Sequence, residues 1–124
     1  MSKSNLGYSV NFKLIIKIKD MELNYENCIK ACQQCMIDCQ NCLVQMMGKE
    51  SMNDCPKCCL LCVDACLICI KFMVASGPLT KEYCQLCAEI CEWCAEECQQ
   101  HDHEHCKVCA ASCLACAKEC RNMA

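Results

Sequence analysis

The spacing of the cysteines constrains the fold of this chain more than any other feature of its sequence. The 124 residues include 21 Cys, which begin at residue 28 and fall into four clusters whose steps alternate between three and four residues. The clusters are Cys28, Cys32, Cys35, Cys39 and Cys42; Cys55, Cys58, Cys59, Cys62, Cys66 and Cys69; Cys84, Cys87, Cys91, Cys94 and Cys98; and Cys106, Cys109, Cys113, Cys116 and Cys120. Such steps keep side chains on one stripe of an α-helix, whereas a strand would place them on both faces. The spacing therefore predicts four helices, each with one face of thiols.

The segments between the clusters predict how the helices are connected. They are short, and they contain Gly48 and the pair Gly77-Pro78, which are typical of helix ends. The predicted N-terminal caps are Asn24, Ser51 with Asp54, Thr80 and Asp102. Short connections place consecutive helices side by side in opposite directions. We therefore expect an all-α fold, an antiparallel up-down-up-down four-helix bundle with a Cys-filled core.

The four stripes of thiols can be aligned layer by layer along such a bundle. The expected layers are Cys28, Cys69, Cys84 and Cys120; Cys32, Cys66, Cys87 and Cys116; Cys35, Cys62, Cys91 and Cys113; Cys39, Cys58 or Cys59, Cys94 and Cys109; and Cys42, Cys55, Cys98 and Cys106. At a rise of about 1.5 Å per residue, the stack would be about 21 Å long. Five layers of four and one additional residue account for all 21 Cys.

Residues 1–20 differ in composition from the rest of the chain. They contain no Cys and carry a net charge of +3 (four Lys, one Asp), against −6 for residues 21–124 (8 basic, 14 acidic). Val10, Phe12, Leu14, Ile16 and Ile18 alternate with mostly polar residues, which indicates either an edge strand or an unstructured tail. We therefore expect an N-terminal extension over residues 1–20, disordered in the second case, and a bundle domain over residues 21–124.

Short chains rich in Cys are usually secreted disulfide scaffolds, and three features argue against that class. The number of Cys is odd, so at least one thiol would be unpaired. No apolar run near the N-terminus reaches the length of the apolar region of a signal peptide. Cysteines three or four residues apart on one helix hold their Cβ atoms about 5–6 Å apart, which is too far for a disulfide. No stretch approaches the roughly 20 apolar residues of a membrane span, and the acidic body disfavours nucleic acid. The sequence thus predicts a cytoplasmic protein with reduced thiols, bound to neither membrane nor nucleic acid.

Thiols at this density indicate a metal site rather than a core of small apolar residues. Soft sulfur ligands select Cu(I), Zn(II) or iron–sulfur clusters, and the Cys run typical of bacterial iron–sulfur clusters is absent from the sequence. One Zn(II) per layer would leave about ten of 20 thiolate charges uncompensated, and a buried ion costs several kcal/mol. One Cu(I) per thiolate is neutral at any length of the stack. Multiple Cu(I) ions are therefore the predicted cargo.

A chain of four helices with inward Cys at alternating steps of three and four resembles the bacterial copper storage proteins, in particular the branch without an export signal. The resemblance covers residues 21–124. It implies a preformed four-helix bundle, typically a homotetramer, that holds many Cu(I) ions mostly between pairs of Cys, with all 21 Cys as metal ligands. It also implies storage in the cytoplasm without catalysis. Copper ions would be the partners, and a copper chaperone that the sequence does not identify is a candidate donor.

One end of the stack is predicted to be the entrance for copper. One further step along each stripe beyond the fifth layer reaches Met46, Met52, His101 and His103. Thioether and imidazole groups are neutral donors that suit Cu(I). We expect all four to point inward as metal ligands, and we expect His105 to face outward.

The opposite end of the stack is predicted to be closed by a hydrophobic plug. Its stripes extend to Met73 and Met123, with Tyr25 and Phe72 nearby, and no His lies among them. Tyr83 and Trp93 lie off the inward stripe, so we expect them to make helix or subunit contacts.

Two other functions are compatible with the sequence. A metallothionein-like buffer for Zn(II) or mixed metals would use the same thiols. A thiol oxidoreductase would use one CxxC pair, but its reactive thiol normally lies at a helix N-terminus, whereas the nine CxxC pairs here run along all four helices. The spacing and the charge favour Cu(I) storage without enzymatic activity.

Overall fold

Four α-helices form the described part of the chain. The structure is a computed structural model that describes residues 12–123, with side chains described for Phe12 and from Tyr25 onward. Helix α1 is Phe12–Met46, α2 is Cys55–Ala75, α3 is Thr80–Cys98 and α4 is Glu104–Asn122. Each helix packs against the next in the chain, and α1 also packs against α4, so the helices surround one axis. The predicted all-α, up-down-up-down four-helix bundle is confirmed.

The core consists of thiols and small side chains. All 21 Cys are buried, and the most accessible of them, Cys106, is 1% exposed. Five Ala residues, at positions 65, 88, 95, 110 and 117, are buried as well, and each is adjacent to a Cys in sequence. Because Ala adds little bulk beside the stripe, the helices can approach until sulfur atoms on different helices touch.

The helices end close to the predicted positions. α1 ends two residues before Gly48, whose φ of 77° lies in the left-handed region. α2 has Pro56 in its first turn and ends before Ser76, which has a φ of 52° and closes the helix with its backbone amide. The Gly-containing connections that the sequence indicated therefore do separate the helices.

The predicted caps of α2, α3 and α4 are wrong. Ser51 does not cap α2: Asn53 Oδ1 accepts a hydrogen bond from the Cys55 amide at 3.0 Å, and Asp54 makes no side-chain cap bond. Thr80 lies inside α3, and its hydroxyl donates to the Gly77 carbonyl at 2.6 Å. The residue before α4 is His103, not Asp102. In each case the helix begins one or more residues away from the expected position, which removes the cap geometry.

The first helix begins earlier than expected. α1 starts at Phe12, so residues 12–20 are helical, and neither an edge strand nor a helix start at Asn24 is formed there. A short alternating pattern is ambiguous between strand and helix, and a helix that has already nucleated extends at little cost. Val10 lies outside the described residues. The division of the chain at residue 20 into extension and bundle domain stays a prediction.

Helix α2 is apolar enough to cross a membrane by length and composition. Its most apolar 18-residue stretch has a mean hydropathy of 2.3, and 39% of that stretch is buried inside the protein. The expectation that no stretch approaches a membrane span is therefore wrong for this helix. Six of its 21 residues are Cys, which count as apolar and lie in the bundle core. The core helix of a soluble protein can be equally long and apolar, so the hydropathy of α2 is weak evidence for a membrane span.

Candidate metal site

The thiols of the four helices meet in the predicted layers. At one end, Cys28 Sγ lies 3.7 Å from Cys120 Sγ, and Cys69 Sγ lies 3.6 Å from Cys84 Sγ. Sulfur contacts of 3.4–4.0 Å join members of the next three layers. In the second layer they join Cys116 to Cys32 and Cys66, and in the third they join Cys35 to Cys62 and Cys113, and Cys62 to Cys91. In the fourth layer, Cys39 and Cys59 each contact both Cys94 and Cys109. In the fifth layer, the Cys55 and Cys98 sulfurs are 3.3 Å apart and those of Cys42 and Cys106 are 3.8 Å apart. We refer to these five layers as the sulfur column.

The sulfur column is continuous from layer to layer. Cys39 Sγ lies 3.7 Å from Cys113 Sγ of the preceding layer, and Cys59 Sγ lies 3.8 Å from Cys98 Sγ of the following one. The contacts also cross the bundle diagonally, because Cys39 of α1 contacts Cys94 of α3 at 4.0 Å. With the contacts of Cys116 to Cys120 and of Cys66 to Cys91, both at 4.0 Å, a series of sulfur contacts runs from the first layer to the fifth.

The fourth layer uses Cys59 rather than Cys58. Cys59 Sγ lies within 3.8 Å of the sulfurs of Cys94, Cys98 and Cys109. The Cys58 thiol instead donates to the backbone carbonyls of Cys55, at 3.2 Å, and Cys94, at 3.9 Å. Both residues are buried, but the step from Cys55 turns Cys58 toward the α3 backbone. Cys58 is the one cysteine outside the five layers.

The thiols are arranged to exchange protons for metal ions. All 21 are free, and groups of four, such as Cys32, Cys66, Cys87 and Cys116, have sulfurs within 4.8 Å of one another. A hydrogen bond with Cys120 lowers the pKa of Cys28 to about 5, whereas burial raises the pKa of Cys106. A thiol with a raised pKa keeps its proton at neutral pH, so binding of a soft metal there releases the proton.

The fifth layer adjoins a small cavity of about 50 Å³. Its lining residues are Met46, Lys49, Glu50, Ser51, His101, His103, His105 and Cys106. We refer to this cavity and its lining residues as the mouth. The volume is sufficient for about one water-sized ligand or ion.

His105 faces the sulfur column, so the expectation that it faces outward is wrong. Its Nδ1 lies 3.3 Å from Cys42 Sγ and 3.5 Å from Cys106 Sγ, and its ring stacks on His103 with centroids 5.3 Å apart. Burial lowers the pKa of His105, and nearby positive charges lower it further. The imidazole is therefore neutral at neutral pH, and one nitrogen and two thiols form a group of three potential ligands.

Three of the four other predicted residues line the mouth. These are Met46, His101 and His103, whereas the Met52 side chain is 88% exposed, so the expectation that it points inward is wrong. The helical step does not apply to Met52, because this residue precedes α2 and lies outside any helix. His103 also precedes α4, with backbone angles of −67° and 142°, and nevertheless lines the mouth. His105 lies inside α4, four residues before Cys109, and that step would have identified it.

The opposite end of the column is closed by larger side chains. Met73 is 1% exposed, and Tyr25 and Met123 pack against the buried core. Phe72 stacks on Tyr83 with ring centroids 4.9 Å apart and an interplanar angle of 17°. This packing agrees with the predicted hydrophobic plug, and it places Tyr83 in a contact between helices α2 and α3.

Sequence comparison identifies relatives along most of the chain. The family model described as "Csp: Copper storage protein" matches residues 21–124. The uncharacterized cysteine-rich protein YhjQ of Bacillus subtilis is 42% identical over 107 residues, which span 84% of this chain and 99% of that protein. The matched region contains all 21 cysteines.

Structural comparison agrees with the sequence. Apo copper storage protein 3 of Bacillus subtilis is 43% identical, with a TM-score of 0.75 over 79% of this chain and 96% of that one. The Cu(I)-bound form of BsCsp3 is 40% identical, with a TM-score of 0.77 over 82% and 98%. The Nmul_A1745 protein of Nitrosospira multiformis is 31% identical, with a TM-score of 0.71 over 82% and 95%. With its family match, its relatives and its layered thiols, the chain belongs to the copper storage protein family.

Proposed function

We propose that this chain stores Cu(I) in its sulfur column, with the Cys residues of the five layers as ligands. The observation that carries the proposal is the series of sulfur contacts of 3.3–4.0 Å that runs within and between layers from the first layer to the fifth. Because Cu(I) accepts two or three thiolates, ions bound to adjacent layers can share sulfurs. A Cu(I)-bound structure is known for the related BsCsp3, which supports the same cargo here.

Charge balance supports Cu(I) as the cargo. Each protonated thiol that binds exchanges its proton for the ion, Cu⁺ + RSH → CuSR + H⁺, so the net charge at that sulfur does not change. In the described residues the buried core contains only Cys, Ala, Met73 and Thr80, so no buried Lys or Arg is available to neutralise thiolates. Uncompensated thiolates would be costly in such a core. A monovalent ion for each thiolate avoids that cost.

Copper would enter the column at the mouth. His105 with Cys42 and Cys106 offers one imidazole and two thiols at the end of the column. Met46, His101 and His103 supply a thioether and two imidazoles around it. An ion would first bind these donors and then move to thiols of the fifth layer. The plug at the opposite end would make entry there slower, since Met73 is fully enclosed.

The setting of this function is also a proposal. The chain would act in the cytoplasm, where free thiols remain reduced, and it would store copper rather than catalyse a reaction. A homotetramer is proposed from the family resemblance, and Leu60, Leu61, Leu67 and Ile68 of α2 are exposed apolar side chains that another copy would cover. A copper chaperone is the proposed donor of the ions.

The test is a titration of the reduced protein with Cu(I) held by a competing chelator. We expect saturation near one Cu(I) per thiol, release of about one proton per ion, and little change in far-UV circular dichroism because the bundle is preformed. Saturation at five or fewer ions per chain, or a large gain of helicity on loading, would contradict the proposal.

Zn(II) buffering is a second candidate, favoured by one observation. The column contains groups of four sulfurs within 4.8 Å of one another, and four thiolates are a common ligand set for tetrahedral Zn(II). A competition experiment distinguishes the two functions. If Zn(II) resists displacement by equimolar Cu(I) at a fixed chelator concentration, Zn(II) is the cargo. We expect Cu(I) to displace it, since thiolates bind the softer ion more tightly.

A further inference from the structure

We infer that Asn53 is a positioning residue for His101: it holds the imidazole as the Nε2–H tautomer and leaves Nδ1 as the nitrogen that takes Cu(I) at the mouth. The inference rests on the proposed function, because it concerns how one histidine of the mouth meets the ion. It follows from the hydrogen bonds of a single amide that joins the α1–α2 and α3–α4 connections.

The two ends of the Asn53 amide are identified by partners that can only donate or only accept. The Cys55 backbone N–H lies 3.0 Å from Oδ1 and can only donate. The Glu97 carbonyl oxygen lies 2.9 Å from Nδ2 and can only accept. Reversing the amide would bring two donors together at Cys55 and two acceptors together at Glu97. The oxygen of Asn53 is therefore the atom that faces His101.

This orientation determines which nitrogen of His101 carries the proton. His101 Nε2 lies 2.8 Å from Asn53 Oδ1. The amide oxygen has no hydrogen to donate, so the hydrogen in this contact belongs to Nε2. In a neutral imidazole the lone pair then resides on Nδ1. Histidine ligands commonly donate their other ring N–H to an oxygen, which fixes the ring and makes the ligating nitrogen more basic.

His101 lies at the mouth, where a fixed ring and a more basic Nδ1 would favour the binding of an entering ion. The residue is half-buried and lines the mouth with Met46 and His105. Its backbone amide donates to the Cys98 carbonyl at 3.1 Å, while Asn53 holds the ring from the other connection. The backbone of His101 is therefore anchored to α3, and its ring is anchored through Nε2 to Asn53.

Nitrogen NMR on the reduced, copper-free protein tests the tautomer directly. We expect a ring N–H resonance of His101 on Nε2, protected from exchange, in the wild type and in Gln100→Ala, which leaves the amide oxygen of Asn53 in place. The same resonance should be lost in Asn53→Ala. On addition of the first Cu(I), the Nδ1 resonance should shift while the Nε2 proton remains. A proton on Nδ1, or copper on Nε2, would overturn the inference.

The rate of Cu(I) transfer from its bathocuproine complex tests the consequence. We expect Asn53→Ala to slow the initial uptake about tenfold, the lower range for loss of a partner to a histidine ligand. Gln100→Ala is the matched control, because it removes a partner of Nδ2 at 3.1 Å and leaves the amide oxygen in place. Equal slowing in Gln100→Ala and Asn53→Ala would overturn the inference. The rate would then depend on the hydrogen bonds that hold the α1–α2 and α3–α4 connections together, and not on the amide oxygen that faces His101.

The variant His101→Ala separates this inference from the proposed function. Wild-type uptake in His101→Ala would contradict the entrance role of that histidine. Slow uptake in His101→Ala together with a normal rate in Asn53→Ala would contradict only the role assigned to Asn53. Slow uptake in both variants, with the NMR result above, supports both.

Discussion

At the scale of single residues, orientation around the helix decides which cysteines take part in the sulfur column. Cys58 and Cys59 are neighbours in α2 and are equally buried. One thiol reaches three sulfurs on other helices, while the other is bound to backbone carbonyls. A rotation of about 100° per residue is enough to separate a potential metal ligand from a buried thiol.

This difference predicts unequal effects of two otherwise identical substitutions. Cys59→Ala should lower the Cu(I) capacity by at least one ion per chain, because it removes a sulfur shared with the fourth and fifth layers. Cys58→Ala, the matched control, should leave the capacity unchanged within error. Chelator-based titrations of both variants measure this. A larger loss in Cys58→Ala than in Cys59→Ala would show that the layer assignment is wrong.

The histidine next to the column predicts a kinetic effect. His105→Ala should slow Cu(I) uptake by at least tenfold, because it removes the nitrogen that contacts Cys42 and Cys106. Final capacity should change little, since most thiols lie deeper in the column. Met52→Ala serves as the control, because that side chain is exposed outside the mouth. Stopped-flow transfer from a Cu(I) chelator gives both rates, and equal rates in the two variants would exclude His105 from the entrance.

At the scale of the helices, the stripes of cysteines were more predictable from the sequence than the helix ends and the connections. The layers were predictable because steps of three and four residues have a fixed geometry within a helix. The mouth was predicted less well. Met52 is exposed because it lies in a connection whose path depends on tertiary contacts such as that of Asn53 with Glu97. His105 was assigned outward from its place beside Cys106, although it also lies one helical step of four residues before Cys109. The start of α1 was missed because the alternating pattern of residues 10–18 favours a strand only when no helix continues into it.

The connection after α1 predicts a difference between two glycines. Gly48→Ala should destabilise the copper-free bundle by about 1 kcal/mol, because φ of 77° is unfavourable for a residue with a Cβ atom. The new methyl group would meet no atom within 4 Å, so backbone strain is the whole cost. Guanidinium unfolding followed by circular dichroism measures it in reduced protein.

Gly77→Ala provides the comparison for that prediction. Its new Cβ would lie 3.8 Å from Phe72 Cδ1, an ordinary contact, and Gly77 does not have a positive φ. We therefore expect a much smaller change in the free energy of unfolding than for Gly48→Ala. The reverse order of the two effects would contradict the backbone argument.

At the scale of the whole molecule, every cysteine lies in the part of the chain that matches the family. All 21 Cys lie between residues 28 and 120, within the match over residues 21–124. α1 nevertheless extends to Phe12, beyond that match. Residues 12–20 therefore lengthen α1 without adding a cysteine to the metal site.

Removal of the first 20 residues tests this separation. A chain that starts at Met21 should bind the same number of Cu(I) ions as the full chain, because every predicted ligand is retained. Its copper-free stability should be similar or slightly lower, since α1 would lose its first turns. Parallel titrations and guanidinium unfolding compare the two chains. A loss of capacity on truncation would mean that residues 1–20 support the bundle or its loading.

The regular stacking of the layers also makes storage capacity an extensive property of the fold. Two successive layers occupy one heptad of each helix, so seven residues inserted at matched positions in all four helices would add about eight thiols and preserve both ends. Larger reservoirs would then arise by simple elongation, without any new coordination chemistry. The dimension that sets the amount of cargo is axial length, and the cross-section of the protein can remain constant.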